Sequence, residues 1–334
     1  MARDGSFVDL FCGAGLLSAG FIAEGFWPKL ALDLSDDAVR SYRRNVSPVA
    51  VKAPVNEWSD VPETDILIAG PPCQGFSTLG QQNPRDVRNA LALSVVKWAD
   101  LSGAKIVVVE NVPPFITSRH GRSLRASLRQ RGYEVFVWVL EAADFGTPQL
   151  RKRAFTVASK VGRIAPPIPM PARLTAGEAL GRPIAFDDPM HRWPVPAGIA
   201  AERIALVPFG GDKRDIMKAA PDLCPPSWQR VGCQATDVWG RINPDNPANT
   251  IRCTFQNPSK GRYLHPTEPR TISLREGARL QGVPDEWVFE GKNYPVARQI
   301  GNGVPIPLAR AVAAAIRTSL GLKNASDTLV DEHI

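Results

Sequence analysis

Cys73 stands in a loop whose composition favours chemistry. It lies within GPPCQGFS, residues 70–77, which follows the short apolar run Asp65–Ala69. Two prolines restrict the backbone before the cysteine, and Gly75 frees it afterwards. A lone cysteine is usually an inert buried side chain, but ligands of open α/β sheets bind just beyond the carboxyl ends of strands. We therefore predict that Cys73 is a nucleophile at such a strand end.

Glu110 closes another apolar run, KIVVVE, residues 105–110. A glutamate at this place is costly to bury unless it is paired or protonated. If the run is a parallel strand, the carboxyl group projects from the same edge of the sheet as Cys73. A carboxyl group held protonated beside a nucleophile suits general acid catalysis, so Glu110 is the predicted acid.

Two arginines precede the apolar stretch AFTVA. In an extended chain Arg151 and Arg153 point to one face, and two guanidinium groups on one face suit a phosphate or a carboxylate. The alternative is a charge pair on an edge strand that binds no ligand.

A glycine-containing turn, DLFCGAGLLS, separates the first apolar run from the first amphipathic stretch. Gly13 and Gly15 let the backbone pass close to a ligand at a helix N-terminus, which is typical of nucleotide pockets. Ser18 stands where the dinucleotide fingerprint GxGxxG has its third glycine, which disfavours NAD. Asp33, at the end of the second predicted strand, is placed to accept hydrogen bonds from a ribose diol. The alternative is a glycine turn without a ligand and an exposed Asp33.

Apolar runs and amphipathic stretches alternate from Ser6 onwards, which is the pattern of βαβ units. This predicts an α/β fold with a doubly wound, mostly parallel sheet. The predicted strands are Ser6–Phe11, Lys29–Leu34, Val49–Val51, Asp65–Ala69, Lys105–Glu110, Tyr133–Leu140 and Ala154–Ala158, and the predicted helices are Leu16–Glu24, Ser35–Asn45 and Ala90–Leu101.

The composition changes after residue 165. Twelve prolines fall among the 61 residues from Pro166 to Pro226, with little periodicity, so the sheet is expected to end there. Helical patterns return at Leu274–Gln281 and Pro305–Leu320, and the last of these is expected to cover the sheet. We predict a catalytic and cofactor-binding domain at 1–165, a smaller irregular domain at 166–290 and a segment at 291–334 that returns to the first domain.

The charge balance favours a polyanionic partner without requiring one. Forty Lys and Arg face 33 Asp and Glu, for a formal net charge of +7. One basic segment contains no acid and suits a phosphate backbone, the alternative being a solvated helix face. Its arginines are Arg119, Arg122, Arg125, Arg129 and Arg131.

The cysteines and the apolar runs indicate the cellular compartment of the protein. Five cysteines form no CxxC pair and no Cys/His cluster of zinc spacing, which predicts reduced thiols in a cytoplasm and no metal site. No apolar run reaches the roughly 20 residues of a membrane span, and the first residues lack the pattern of a signal peptide.

Six blocks occur in an order and spacing that resemble one family. FVDLFCGAGLLSAGF, GPPCQGFS, ENV, FGTPQLRKR, RTISLREGARLQGVPD and QIGNGVP are similar to the blocks of the DNA cytosine-5 methyltransferases of bacterial restriction–modification type. The resemblance covers most of residues 6–162 and 241–312. It implies a Rossmann-like fold and methyl transfer from S-adenosylmethionine to carbon 5 of a cytosine flipped out of a specific duplex DNA sequence.

The resemblance also implies roles for single residues. Cys73 resembles the family's nucleophile, Glu110 the acid that engages the cytosine, and Arg153 the contact to base and phosphate, with Arg151 in the same catalytic set. Residues 166–234 correspond to the segment that reads the DNA sequence. The residues that resemble the cofactor site are Phe11, Gly13, Gly15, Asp33, Pro72, Asn302 and Gly303.

The sequence departs from the family pattern at three places. Leu16 replaces a common third glycine, and Asp33 replaces a glutamate. The acid expected before the fourth strand is missing, which leaves Asn56 or the backbone to meet the adenine.

The expected partners are double-stranded DNA and a cognate restriction endonuclease, which the enzyme does not need in order to act. We expect a monomer in the cytoplasm. The alternatives are a tRNA cytosine-5 methyltransferase of the same fold, a non-catalytic DNA-binding relative, and a nucleotide-binding oxidoreductase. Intact Cys73 and Glu110 argue against the non-catalytic relative, and Ser18 argues against the oxidoreductase.

Overall fold

The chain folds into two compact units in the computed structural model, which describes residues 5–72, 91–231 and 237–322. The sheet unit comprises Met1–Phe145, Lys152–Pro171 and Val304–Ile334. The second unit comprises Gly146–Arg151 and Ala172–Gly303.

Seven strands among the described residues form one sheet in the order β3-β2-β1-β4-β5-β7-β6. All neighbouring pairs from β3 to β5 are parallel, whereas β7 runs antiparallel to both β5 and β6. The prediction of a mostly parallel, doubly wound sheet is confirmed. The strands are β1 (Ser6–Leu10), β2 (Trp27–Asp33), β3 (Ala50–Lys52), β4 (Ile66–Ala69), β5 (Ile106–Asn111), β6 (Glu134–Glu141) and β7 (Lys152–Ser159).

The five helices whose bounds were predicted lie close to their predicted positions, with ends that differ by at most two residues. Ser35, where the predicted helix begins, caps α2, because its hydroxyl accepts from the backbone N–H of Ala38 at 3.4 Å. The α-helices are α1 (Leu16–Ala23), α2 (Asp36–Asn45), α3 (Leu91–Ser102), α4 (Arg119–Gln130), α5 (Ala176–Leu180), α6 (Ile199–Ala205), α7 (Lys213–Ala219), α8 (Pro226–Val231), α9 (Leu274–Arg279), α10 (Asn293–Asn302) and α11 (Ile306–Ser319).

The two faces of the sheet bury separate apolar clusters. Ile66 and Ile68 of β4 enter one cluster, whereas Leu67 enters the other. This alternation follows from the two-residue period of a strand. Strand β4 is therefore apolar at every position, as is the run of β5 before Glu110.

The last helix covers one face of the sheet, as predicted. Leu308, Val312 and Ile316 of α11 are fully buried in the same cluster as Phe7 and Phe21. The α1 and α11 backbones approach closely at Gly20, where a Cβ atom would lie 2.5 Å from the backbone nitrogen of Arg310. The contact of α1 with α11 thus requires a glycine.

The second unit is built from short helices around a small core. Ile204, Val207, Ile216, Trp239 and Leu264 are buried together in it. Arg241 lies beneath this core and donates to the carbonyl oxygens of Val207 and His265, both at 2.7 Å.

The boundaries of the units differ from the predicted domain boundaries. Apart from Gly146–Arg151, which belong to the second unit, the division falls at 171/172 and 303/304, whereas the predicted boundaries are 165/166 and 290/291. The later boundary has a physical cause, because α10 packs against α9 and the Gln281 amide donates to the Ile300 carbonyl at 2.7 Å. These contacts hold α10 in the second unit.

No helix within residues 5–72, 91–231 and 237–322 is long and apolar enough to cross a membrane. In the same ranges, no three His, Cys, Asp or Glu side chains gather in a way that suits a metal ion.

Gly20→Ala is expected to destabilise the sheet unit, because the added methyl group overlaps the α11 backbone. Overpacking costs about 1–3 kcal/mol, and the helix propensity regained is about 1 kcal/mol, so the net loss should be about 1–2 kcal/mol. Urea unfolding measures it. Gly5→Ala is the control, since its Cβ would meet nothing closer than 3.4 Å. Equal stability of the two variants would contradict the close packing of α1 and α11.

Candidate active site

The predicted site residues of the sheet unit gather at the carboxyl edge of the sheet. Strands β1, β2, β4 and β5 are parallel, so the segments that follow them leave the sheet at one edge. A Cβ atom on Gly70, just after β4, would lie 3.8 Å from Oε2 of Glu110 and 3.9 Å from the carbonyl oxygen of Phe11. Three of the six sequence blocks therefore meet at this point.

Asn111 joins the ends of β4 and β5. Its side chain is buried, and the amide nitrogen donates to the carbonyl oxygen of Pro71 at 3.2 Å. Its amide oxygen accepts from the backbone N–H of Val112 at 2.9 Å. Asn111 thereby fixes the start of the proline loop at Pro71. The half-buried Pro72 comes next. Cys73 follows directly and lies outside the described residues.

Glu110 forms an ion pair with Arg153. The distance from Arg153 Nε to Glu110 Oε1 is 2.8 Å, and the two side chains are only 15% and 10% exposed. The antiparallel pairing of β5 with β7 brings the beginning of β7 to the end of β5. A buried glutamate is tolerated when it is either paired with a cation or protonated, and in the structure Glu110 is paired.

Arg151 does not lie where the sequence predicted. Its side chain is 1% exposed, and its guanidinium donates to the carbonyl oxygens of Ile251, Gly301 and Gly303 at 2.9, 2.6 and 3.1 Å. The predicted shared face with Arg153 assumed one extended chain through both residues, but β7 begins at Lys152. The Arg151 guanidinium therefore holds segments of the second unit together, and its catalytic role stays a prediction.

The two glycines of the first turn have different functions. Gly13 has φ of 53°, and a Cβ atom there would meet nothing within 4 Å. Gly15 has φ of 90°, and a Cβ atom there would lie 2.7 Å from both Tyr42 and Val46 of α2. The space in front of Gly13 is thus open, whereas Gly15 is required by its packing against Tyr42 and Val46. The roles of both glycines toward a cofactor stay predictions. Phe11 also adopts left-handed backbone, with φ of 60°.

Asp33 ties the turn to the end of β2. One carboxylate oxygen accepts from the backbone N–H of Gly13 at 2.9 Å, and the other accepts from that of Ser35 at 2.8 Å. These bonds fix the carboxylate beside the open face of Gly13. This is the place where the sequence predicted a ribose contact.

A buried carboxyl group lies beneath this turn, and the sequence analysis missed it. Asp9 is 1% exposed; Ser18 donates to its Oδ2 at 2.7 Å, and Tyr42 donates to Ser18 at 2.8 Å. Oδ1 of Asp9 is buried without a hydrogen-bond partner. Burial raises the pKa of Asp9 to about 8; the bond from Ser18 opposes this shift and the charge of Asp33 adds to it. The available sequence signal was an acid inside an otherwise apolar strand.

The remaining predicted cofactor residues belong to the second unit. Asn302 ends α10, and its side-chain oxygen accepts from the thiol of Cys253 at 2.7 Å. Gly303 follows, with its carbonyl oxygen bonded to Arg151. Their role toward a cofactor stays a prediction, as does that of Asn56, whose side chain is exposed.

Comparison with known proteins identifies relatives of the whole chain. A family model described as C-5 cytosine-specific DNA methylase matches residues 5–179 and 226–318. The Type II methyltransferase M1.HphI of Haemophilus parahaemolyticus is 31% identical over 337 residues, which cover 93% of this chain and 86% of the relative. The Type II methyltransferase M.XorII of Xanthomonas oryzae pv. oryzae is 32% identical over 364 residues, with coverage of 95% and 85%.

Solved structures share the fold at lower sequence identity. The Entamoeba histolytica methyltransferase EhMeth superposes with a TM-score of 0.68 and 13% identity, over 94% of this chain and 98% of that one. The Dnmt2 methyltransferase of S. pombe gives a TM-score of 0.62 and 16% identity, over 95% and 100%.

Asp9→Asn is expected to flatten the dependence of stability on pH. The folded state keeps the Asp9 carboxyl protonated up to about pH 8, whereas the unfolded chain releases this proton above about pH 4. Raising the pH across this window therefore favours the unfolded state, by up to about 1.4 kcal/mol per pH unit. Urea unfolding between pH 5 and 8 measures this slope. Identical slopes for the wild type and Asp9→Asn would show that Asp9 is ionised in the folded protein.

Proposed function

This chain belongs to the family of C-5 cytosine-specific DNA methylases and is a DNA cytosine-5 methyltransferase, and on that basis we propose how its residues act. The methyl group passes from S-adenosylmethionine to carbon 5 of a cytosine flipped out of a specific duplex sequence, through a covalent bond between Cys73 and carbon 6. The observation that carries this proposal is the Glu110–Arg153 ion pair beside the loop that leads into Cys73.

Carbon 5 of cytosine is too weak a nucleophile to take a methyl group directly. The thiolate of Cys73 adds to carbon 6, and the electron pair displaced from the ring double bond moves toward N3. Glu110, which is paired with Arg153 in the free enzyme, takes up a proton when the base binds and donates a hydrogen bond to N3. This bond stabilises the enamine, whose carbon 5 is now nucleophilic. After methyl transfer, carbon 5 loses its proton to a water molecule, and the electrons of that bond re-form the double bond as Cys73 leaves as the thiolate.

Arg153 is a positioning residue for Glu110 in this scheme. Its guanidinium holds one carboxyl oxygen, which orients the Glu110 side chain toward the strand end at Gly70. Both side chains are largely buried, so neither rotates freely, and the geometry exists before the base arrives. Asn111 fixes Pro71, which places the beginning of the nucleophile's loop on the same frame.

The first turn fits a nucleoside cofactor. Gly13 leaves open space where any other residue would place a side chain, and the Asp33 carboxylate is fixed next to it. S-adenosylmethionine supplies the methyl group on a positively charged sulfur. We propose that Asp33 accepts from the ribose and that Phe11 and Pro72 line the same site. Gly15 contributes indirectly, through the packing of α2.

The remaining proposals concern partners and setting. The enzyme acts on DNA; we propose that its substrate is duplex DNA and that residues 166–234 read the sequence. Flipping a cytosine costs a few kcal/mol, which contacts to phosphates and to the unpaired base offset. We also propose that the enzyme is a cytoplasmic monomer that accompanies a cognate restriction endonuclease, which fits relatives named as Type II methyltransferases.

Cys73→Ala is expected to abolish methyl transfer, since no other group then adds to carbon 6. Incorporation of a radiolabelled methyl group into duplex DNA measures the loss, and DNA binding should persist. Duplex that contains 5-fluorocytosine should trap the wild type covalently, because fluorine does not leave as a proton does. Trapping of the alanine variant would show that another residue is the nucleophile.

The same transfer assay, run with duplex DNA and with tRNA, tests the substrate class. Preferential methylation of tRNA by the wild type would overturn the duplex proposal while leaving the chemistry of Cys73 in place.

Arg153→Gln and Arg151→Gln are expected to have different main effects, the first on catalysis and the second on stability. Arg153→Gln should lower kcat by roughly 100-fold, because it releases the catalytic carboxyl group. It should cost less stability than Arg151→Gln, because a Glu110 left without its partner can take up a proton at the sheet edge. Arg151→Gln should instead lower the free energy of unfolding by about 3 kcal/mol, because it removes charge-assisted hydrogen bonds to buried carbonyl groups. Steady-state kinetics and urea unfolding measure the two effects. Reversal of the pattern would contradict the assignment.

A further inference from the structure

Helix α4 carries an arginine face that the proposed chemistry does not use. Its arginines are spaced by three or four residues and therefore share one side of the helix. The opposite side buries Gly121, Leu124 and Leu128 against the sheet unit. The helix contains no acidic residue. The arginine face consists of Arg119, Arg122, Arg125 and Arg129.

The guanidinium groups of two of these residues fold toward the beginning of the helix. Arg122 donates to the carbonyl oxygen of Thr117, and Arg125 donates to that of Ile116 at 2.9 Å. Each of these carbonyl groups accepts a hydrogen bond, but it has no net charge and so does not neutralise the guanidinium group. The cationic groups are thus concentrated at the N-terminal end of α4.

The charges on this face are uncompensated. Among the described residues, no carboxylate pairs with the four arginines, whereas the adjacent Arg131 binds Asp100 at 2.7 Å. Nη1 of Arg125 is buried without a hydrogen-bond partner. Burial, together with the charges of Arg129 and Arg122, lowers the pKa of Arg125. Such a face gains from an anionic ligand.

The fold brings this face toward the catalytic edge. Strand β5 delivers Glu110 to the carboxyl edge of the sheet, and the chain then passes through Pro113–Phe115 to the start of α4. Arg119 follows Glu110 by nine residues, so the two are at most about 30 Å apart. A duplex covers this distance in about nine base pairs.

We propose that the arginine face of α4 binds phosphate groups of duplex DNA outside the target sequence. This inference rests on the proposed duplex substrate. Duplex DNA presents one negative charge per about 1.7 Å of its axis, so a row of guanidinium groups meets several phosphates at once. Guanidinium groups also match phosphate oxygens by paired N–H bonds. Contacts to phosphate carry no sequence information, so the face adds affinity and residence on DNA without changing the site that is methylated.

The test compares two triple variants of equal charge change. The first is Arg119→Gln, Arg122→Gln and Arg129→Gln, all exposed residues of the face. The control is Lys105→Gln, Lys160→Gln and Arg163→Gln. Lys105 precedes β5 and Lys160 follows β7, where the register pairs Ile106 with Ser159, so the control removes charges near the opposite edge of the sheet.

The measured quantity is the Kd of the full-length enzyme for duplex DNA, at salt concentrations from roughly 50 to 200 mM. The duplex has about 40 base pairs, so that it is longer than the distance between Glu110 and Arg119. Each lost phosphate contact reduces the slope of log Kd against log salt by about 1. The arginine variant should lose about 3 in slope, and the control should retain the wild-type slope. At saturating DNA, kcat of the arginine variant should equal that of the wild type.

An arginine variant whose slope matches the wild type overturns the inference and leaves the face to an acidic protein partner. An equal loss of slope in both variants also overturns it, because net charge alone would then explain the effect. Failure of the proposed function looks different, since the wild type itself would then neither bind nor methylate the duplex.

Discussion

The catalytic edge depends on one strand that runs against its neighbours. Because β7 is antiparallel to β5, Asn111 pairs with Ala154, and residue 153 comes next to the end of β5. A parallel β7 would begin at the opposite edge of the sheet, and Arg153 would not reach Glu110. The Glu110–Arg153 ion pair is therefore a product of topology. Since both side chains are largely buried, removal of either charge leaves the other without compensation.

The protein uses arginine in three ways, and burial decides among them. Arg151 is enclosed and directs its donors to backbone carbonyl groups of the second unit. Arg153 is largely buried and meets one carboxylate at the sheet edge. Arg119 and Arg122 remain exposed on α4. The net charge of +7 does not distinguish these uses. It is the number of neighbouring acceptors, set by packing, that determines whether an arginine stabilises the fold or is available to a ligand.

Local pattern predicted much of this fold. Runs such as that before Glu110 placed the central strands, and Ser35 placed a helix start, because both depend on neighbouring residues alone. The position of Arg151 was mispredicted, because the point where β7 begins depends on partners far away in the sequence. The packing role of Gly15 was not predicted for the same reason, since its contact with Tyr42 joins segments far apart in the sequence. Packing between segments that are far apart in the sequence could not be predicted from local sequence pattern.

Two carboxyl groups next to the first turn, those of Asp9 and Asp33, lie in different surroundings. Asp9 lies inside, where burial keeps it protonated and therefore compatible with the apolar centre of the sheet. Asp33 lies at the rim, where backbone N–H groups of Gly13 and Ser35 stabilise its charge. Each state supports the other, because the charge on Asp33 further disfavours ionisation of Asp9. An ionised Asp9 would repel Asp33 and leave a buried charge beneath Gly13. The neutral state of Asp9 thus avoids a second negative charge close to the Asp33 carboxylate at the end of β2.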